Sequence, residues 1–325
     1  MTGTFSGGSL TFGAPTPTLG WQAQYHDALG ALGIKTYFVP TFLDTSVAPS
    51  DFFNAYPSVD GQFNWNSWSW ISEGKVQVSD VADQQYHDAA IAAGKTFMMG
   101  ISPLQFKHLD GGNNWYRRGE LTLAERVPQI LSLQPDFVQI QTWNDGGESS
   151  YIGNVWDNAI VGSPAHGYID GFDHSGWQIL MKAFIAAYKS GGRTAADVVP
   201  VSGNGKNAEG VFWYHPILST ASCSADPLGR PAGAENAEDA VQVAVMLAGP
   251  AVGATVNVYS GGALIGSYKG VKGLNSWSVD GLNVGEQKVE VIGTDGSVLL
   301  SAVGQQAVQP DATVCNFNHA VVGLR

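Results

Sequence analysis

The chain has 325 residues, 44% hydrophobic and 14% charged, which describes a folded globular protein and excludes a disordered one. Its formal net charge of −12 argues against nucleic acid or an anionic membrane surface as partner, because both require a basic face. No apolar run approaches the roughly 20 residues that span a bilayer, and two cysteines with seven scattered histidines suggest neither a thiolate zinc site nor a metal cluster.

After a Gly/Pro/Thr-rich opening, Trp21 to Leu32 reads as a short helix closed by Gly33. The β-branched and aromatic run Thr36-Tyr37-Phe38-Val39, with Pro40 in its last turn, predicts a buried parallel strand over 36–42. Asp44 follows as a turn residue or a substrate contact. Residues 45–78 read as a long loop carrying Trp65, Trp68 and Trp70. Each indole N–H needs a partner when buried, so the three form either a sugar-stacking platform or a small core that pins the loop. A helix from Ser79 or Asp80 through Ala93, stopped by Gly94, leads to a strand over 96–101 that Ser102-Pro103 ends. The polar stretch Gln105 to Arg118 reads as a loop containing Lys107, Asn113, Asn114 and Tyr116, with His108 and Trp115 as candidate substrate contacts.

Leu121 to Leu133 has helical spacing and returns the chain to a strand beginning near Phe137, so strand and helix alternate and imply a parallel sheet. Phe137, Val138, Ile140 and Thr142 favour a pleated backbone, and Gly146-Gly147 stops it. Asp145 and Glu148 therefore sit just past a strand's carboxyl end, where α/β folds usually place chemistry. Two carboxylates there, flanked by Trp143, Asn144 and Tyr151, suit a carbohydrate site: one acid protonates a glycosidic oxygen and one base activates water. An acidic turn capping a helix uses the same spacing. A long polar excursion from Tyr151 to Phe172 follows, then a helix over 174–188 broken by Gly191-Gly192, then a strand over 210–216 containing Phe212, Trp213 and Tyr214. A linker composition at 226–233 marks a boundary. Beyond Glu235, period-two runs around Val241, at 255–259, 263–268, 276–279, 288–292 and 297–302 predict a small antiparallel β-sandwich, with Gly261-Gly262 and Asp295-Gly296 as tight turns. This gives a catalytic domain over 1–232 and an accessory domain over 233–325, the latter a packing appendage, since Trp277 is its one clear candidate for an exposed sugar-binding aromatic.

Trp143-Asn144-Asp145, Gly147-Glu148-Ser149 and Tyr151-Ile152-Gly153 resemble the signature of the fungal endo-α-1,3-glucanases called mutanases, glycoside hydrolase family 71. Thr4-Phe5-Ser6-Gly7-Gly8, Tyr37-Phe38-Val39-Pro40, Met98-Met99-Gly100-Ile101-Ser102-Pro103 and Phe212-Trp213-Tyr214 resemble family strand ends in the family's order, so the resemblance covers nearly the whole chain. It departs at Gly146, where the family usually has Tyr or Phe, and at Ser150, where it often has His.

The resemblance implies an α/β fold, a (β/α)8 TIM-type barrel, with residues 4–8 at the end of about its fourth strand. The barrel is therefore expected to be incomplete, about the last four to five βα units. Phe212-Trp213-Tyr214 would be the eighth strand, with Tyr214 facing the site. The implied reaction is inverting hydrolysis of α-1,3-glucan without metal or organic cofactor, with Glu148 as acid and Asp145 as base. The order reverses if desolvation falls on the other carboxylate. Trp143 would stack on the sugar and Asn144 hydrogen-bond it, with Tyr151, His108, Trp115 and Tyr214 completing the substrate contacts. The family is secreted, which implies an extracellular protein, although Met1 to Phe5 carry no signal-peptide pattern. The same habit favours a Cys223–Cys315 disulfide over two buried thiols. The rival expectation is a truncated, inactive remnant or a glycan-binding protein of the same family.

Overall fold

The computed structural model describes residues 11–42, 47–203 and 205–324, so the strand-end motif at 4–8 and Asp44 lie outside the described residues. The protein is a mixed α/β fold with several sheets, and it divides into two compact units. One contains residues up to 67 with 79–101 and 133–140; the other contains 68–78, 102–132 and 141–325.

In the first unit, β1 (Gly61–Asn64), β2 (Thr96–Ile101) and β5 (Phe137–Ile140) form a parallel sheet in the order β1-β2-β5. The segment expected as a strand over 36–42 is not one, although it lies against β1, whose Phe63 N–H donates to the Pro40 carbonyl at 2.8 Å. Val39, Phe63 and Met98 make the local core, and Trp65 and Phe137 pack on it. Strand β1 falls inside the stretch expected to be loop. All four of its residues are buried, Gln62 and Asn64 included, so it lacks the apolar alternation that marks a half-exposed strand. Helix α1 (Val81–Ala93) ends as expected: Gly94 adopts φ 63°, and the Lys95 N–H reaches back to the Ala90 carbonyl at 2.9 Å. Its Asp83 is buried and accepts from the Asn64 amide at 2.8 Å.

The second unit opens its β structure with a hairpin, β3 (Gln105–His108) and β4 (Asn114–Arg117), where a loop was expected. Gln105 pairs with Arg117 and Lys107 with Trp115. Gly111 and Gly112 turn the hairpin at φ 64° and 84°, a region that costs other residues a clash. Helix α2 (Thr122–Leu133) buries Leu123, Val127, Ile130 and Leu131, and helix α3 (Trp177–Lys189) buries Trp177, Leu180, Met181 and Phe184, both at the spacing the sequence sets.

Strand β6 (Ala208–Tyr214) is the strand expected at 210–216, but it does not extend a parallel sheet. After β7 (Ile217–Ser222) come β8 (Ala240–Leu247), β9 (Thr255–Ser260), β10 (Ala263–Lys269), β11 (Gly273–Asp280), β12 (Gln287–Ile292), β13 (Val298–Val303), β14 (Gln309–Asp311) and β15 (Ala320–Leu324). They pair as two antiparallel sheets, β11-β8-β6-β15 and β10-β9-β12-β13, with β14 lying parallel to β7. Phe212, Val241, Val243 and Val245 from the first sheet meet Val256, Val258, Val289 and Val291 from the second in one core. Each fully buried apolar side chain there contributes roughly 1.5–3 kcal/mol. Successive residues point to opposite faces, so Trp213 turns away from that core and meets Trp177 of α3 with ring centroids 6.0 Å apart. A Cβ on Gly176 would lie 3.0 Å from Val321 Cγ1, so a glycine lets the start of α3 approach β15. Both faces of β6 and β8 are buried, Glu209 and Gln242 included, so neither strand alternates between core and solvent. The resemblance makes β6 a barrel strand, and its antiparallel pairing with β8 and β15 does not fit one.

Cys223 and Cys315 form a disulfide with Cα atoms 5.5 Å apart, closing 92 residues of chain.

Candidate active site

The loop that leaves β5 folds back on itself. The Thr142 N–H donates to the Ser150 carbonyl at 2.7 Å, Ile152 N–H to Thr142 at 3.0 Å, and Gly153 N–H to Trp143 at 2.7 Å. Within it, Thr142 Oγ1 accepts from the Asp145 N–H at 2.9 Å, and Asp145 Oδ1 accepts from the Glu148 N–H at 3.0 Å. The turn-capping role read from the three-residue spacing is therefore present, and it fixes the two carboxylates relative to one another. Ser149, at φ 56°, occupies the left-handed region that favours glycine. A Cβ on Gly146 would lie 2.8 Å from Ile169 Cδ1 and 3.2 Å from Val155 Cγ1, so a larger residue there requires those side-chain ends to shift.

Strand β3 holds Glu148 in three places. Its Phe106 N–H donates to the Glu148 carbonyl at 2.9 Å, Gln105 Nε2 donates to Oε2 at 2.5 Å, and Lys107 Nζ pairs with Oε1 at 2.9 Å. Gln105 and Lys107 are two apart in a strand, so they share the face that meets the carboxylate. Phe106 and His108 take the other face, where Phe106 meets Tyr168 edge-on at 5.4 Å. Both carboxylate oxygens of Glu148 thus accept hydrogen bonds, one of them from a cation.

Asp145 has a different environment. Burial pushes its carboxyl above the usual range, and the Glu148 charge pushes the same way, against the Glu148 N–H and Lys107. Tyr168 completes the constellation: its hydroxyl donates to the Gly147 carbonyl at 2.9 Å, and burial together with both carboxylates raises it to about 12.

The expected substrate contacts divide. Trp143 and Asn144 are exposed beside the carboxylates in the chain, Trp143 lying over Gly153, where a Cβ would come within 2.4 Å of the indole. Trp115 is half-buried, and Lys107 Nζ sits 5.5 Å from its ring centroid, which joins it to the Glu148 cluster. The other three are buried and engaged by other groups. Tyr151 is buried with its hydroxyl on the Phe172 carbonyl at 2.7 Å and its ring stacked on His174 at 3.9 Å. His108 is buried, and its two ring nitrogens meet Asn114 Oδ1 at 2.8 Å and Asp226 Oδ2 at 2.7 Å. Tyr214 lies in the core between the antiparallel sheets with its hydroxyl on the Gln306 carbonyl, because β6 belongs to one of those sheets.

Gln105, Lys107 and Tyr168 are the site residues that sequence reasoning missed. Asp110-Gly111-Gly112-Asn113 between two four-residue segments is a hairpin signal that could have put Gln105 and Lys107 on one face. A cavity of about 380 Å³ lies along the 151–173 excursion, with Tyr151, Asp157, Asp170 and Asp173 among its lining residues, and neither Asp145 nor Glu148 lines it.

The profile described as glycosyl hydrolase family 71 matches residues 4–325. A glucan endo-1,3-alpha-glucosidase of Schizosaccharomyces pombe is 32% identical over 323 residues, 97% of this chain and 69% of the relative. An ascus wall endo-1,3-alpha-glucanase of the same yeast is 31% identical over 75% of this chain and 54% of its own length. A mutanase of Penicillium rubens is 33% identical over 87% of this chain and 60% of its own. The chain therefore spans between about half and two thirds of the length of these relatives. No solved structure gives a significant match.

Proposed function

The chain belongs to glycosyl hydrolase family 71, and from that footing we propose that it hydrolyses α-1,3-glucan by direct displacement between Asp145 and Glu148. The observation that carries this reading is the contrast between the two carboxylates. Glu148 accepts on both oxygens from Gln105 and Lys107, the contacts of a carboxylate, and each oxygen keeps a second lone pair for a water, which suits the base that deprotonates water. Asp145, raised by burial and by its neighbour's charge, suits the acid that protonates the departing glycosidic oxygen. The two environments push the groups toward opposite roles, in the reverse of the order that the sequence first suggests. In an inverting reaction the base-activated water attacks C1 from the face opposite the leaving oxygen. One proton leaves the water for Glu148 and another passes from Asp145 to the leaving sugar.

The parallel strands β1, β2 and β5, with the 36–42 segment hydrogen-bonded to β1, support a reading as consecutive units of a (β/α)8 barrel, in which a loop after a strand's carboxyl end is the usual place for such a pair. The Cys223–Cys315 disulfide and the ascus-wall name of one relative fit an oxidising, extracellular setting.

The test is reducing-sugar release from insoluble α-1,3-glucan by the protein and by Asp145→Asn and Glu148→Gln, at matched folded content. Both variants should lose at least a hundredfold in kcat, on the order expected for removing an acid or base. An α-glucosyl fluoride, whose leaving group needs no protonation, separates the roles: Asp145→Asn should recover on it and Glu148→Gln should not. Recovery by Glu148→Gln alone would reverse the assignment. A parent protein that binds the polymer and releases nothing would instead be a glycan-binding protein.

A further inference from the structure

The three tryptophans of the 63–70 stretch do not share one fate. Trp65 packs on the Val39, Phe63 and Met98 core, and Trp68 is buried, whereas Trp70 is 53% exposed. Trp70 is nonetheless on a fixed turn. Its backbone N–H donates to the Glu73 carboxylate at 2.5 Å, and the next residue, Ile71, accepts from the Asn236 amide on its carbonyl at 2.9 Å. An exposed indole on an ordered turn loses little further freedom when a ligand stacks on it.

The hairpin connects this indole to the carboxylates. Gln105, Lys107, Trp115 and Arg117 occupy one face of it, as two cross-strand pairs. Gln105 and Lys107 hold Glu148. Trp115 stands beside Lys107, and the Arg117 guanidinium lies 5.8 Å from the Trp115 ring and 4.3 Å from the Trp70 ring. The side chains therefore run without a break from Glu148 through Lys107, Trp115 and Arg117 to Trp70. The cations along this line do not stand alone: Lys107 pairs with Glu148, and Arg117, which burial pushes down, lies in the opposing fields of Glu148 and Glu73. With a net charge of −12 on the chain, the line does not read as an anion site. It presents aromatic faces and guanidinium donors, the combination that packs against the C–H face of a pyranose and hydrogen-bonds its hydroxyls.

We infer that Trp70, with Arg117 and Trp115 behind it, is a binding shelf for sugar units of a neutral glucan chain that lie beyond the bond being cleaved. This rests on the α-1,3-glucanase reading of Asp145 and Glu148.

The shelf is tested in an Asp145→Asn background, which keeps a carbonyl oxygen for the Glu148 N–H. Depletion of this protein onto insoluble α-1,3-glucan is compared with the same protein carrying Trp70→Ala, Trp70→Phe or Arg117→Met, each checked for an unchanged melting temperature. Trp70→Ala should weaken binding roughly tenfold, about the scale of one lost aromatic contact, and Trp70→Phe should restore much of it. In the active protein, Trp70→Ala should cost more in kcat/KM on the polymer than on a short α-1,3-oligosaccharide. Equal binding by the Trp70→Ala and Trp70 proteins, or equal losses on long and short substrates, would overturn the shelf while the glucanase reading stands. A parent protein that cuts no α-1,3-glucan would overturn both.

Discussion

Lys107 is the residue on which the electrostatics of the site turn. It pairs with Glu148 at 2.9 Å, and its charge also restrains the upward push on Asp145. Replacing it with methionine removes a cation and keeps most of the stem that lies near Trp115. Asp145 then loses a neighbour that favoured its ionised form, so its pKa rises further. If Asp145 is the acid, the protein is active while Asp145 is protonated, and activity falls as pH rises through that pKa. The alkaline limb of kcat/KM against pH should therefore move to higher pH in Lys107→Met. At the optimum, kcat should drop on the order of ten- to a hundredfold, because Glu148 loses one of the groups that orient it. An alkaline limb that stays in place, or moves to lower pH, would remove Asp145 from the acid's role. Asp145 and Glu148 were legible in the sequence because their spacing is itself a turn motif, and the turn is what assembles them. Lys107 was not, because its role depends on which side of a four-residue strand it faces.

The β3–β4 hairpin carries three of the groups that hold Glu148, so the anchoring of the hairpin matters as much as its face. His108 Nε2 meets Asp226 Oδ2 at 2.7 Å, the Asn114 amide donates to the Leu228 carbonyl at 2.8 Å, and the Tyr116 N–H donates to Ala232 at 2.8 Å. Burial alone would raise the Asp226 carboxyl, but N–H groups of Cys315 and Leu228 and the His108 ring hold it below the usual range. Its folded pKa is depressed, so its contribution to stability is present above the unfolded value and is lost as pH falls through the folded one. Asp226→Ala should cost roughly 3–5 kcal/mol near neutral pH, since it strands His108 and a buried N–H. Urea denaturation should find that gap narrowing in acid, and a constant gap down to low pH would mean that the carboxylate is not what stabilises the hairpin. Here the sequence was a weaker guide. Helices α2 and α3 follow from apolar spacing over a dozen residues, whereas His108 looks like a polar loop residue until Asp226, 118 positions away, is found against it.

Strand pairing in the second unit joins distant parts of the chain. β6 lies between β8 and β15, the last described strand, while β14 pairs with β7 and Cys315 is bonded to Cys223. The composition change near residue 233 is real as a change from helical to alternating pattern, yet the sheet β11-β8-β6-β15 takes strands from both sides of it. A pattern reports the period of each strand and not its partner, so β6, buried on both faces, could not be assigned to an antiparallel sheet from its own residues. Consequences follow for any attempt to separate the parts. A fragment of residues 233–325 would lack β6, leaving β8 as an edge strand with Val241, Val243 and Val245 beside an unfilled core and with the Trp213 side of the sheet uncovered. An exposed apolar edge of that length recruits other chains, so the fragment should aggregate or stay unfolded by circular dichroism and sedimentation. Within the intact chain, the disulfide closes a loop of about 90 residues, for which loop-closure entropy gives a stabilisation of roughly 2–5 kcal/mol. Cys223→Ser with Cys315→Ser should lower stability by that order while leaving the pairing of β6 with β8 and β15 in place. Should the fragment 233–325 instead be monomeric and unfold cooperatively, β6 would be a guest in a sheet able to close without it, and the division in the sequence pattern would also be a division in folding.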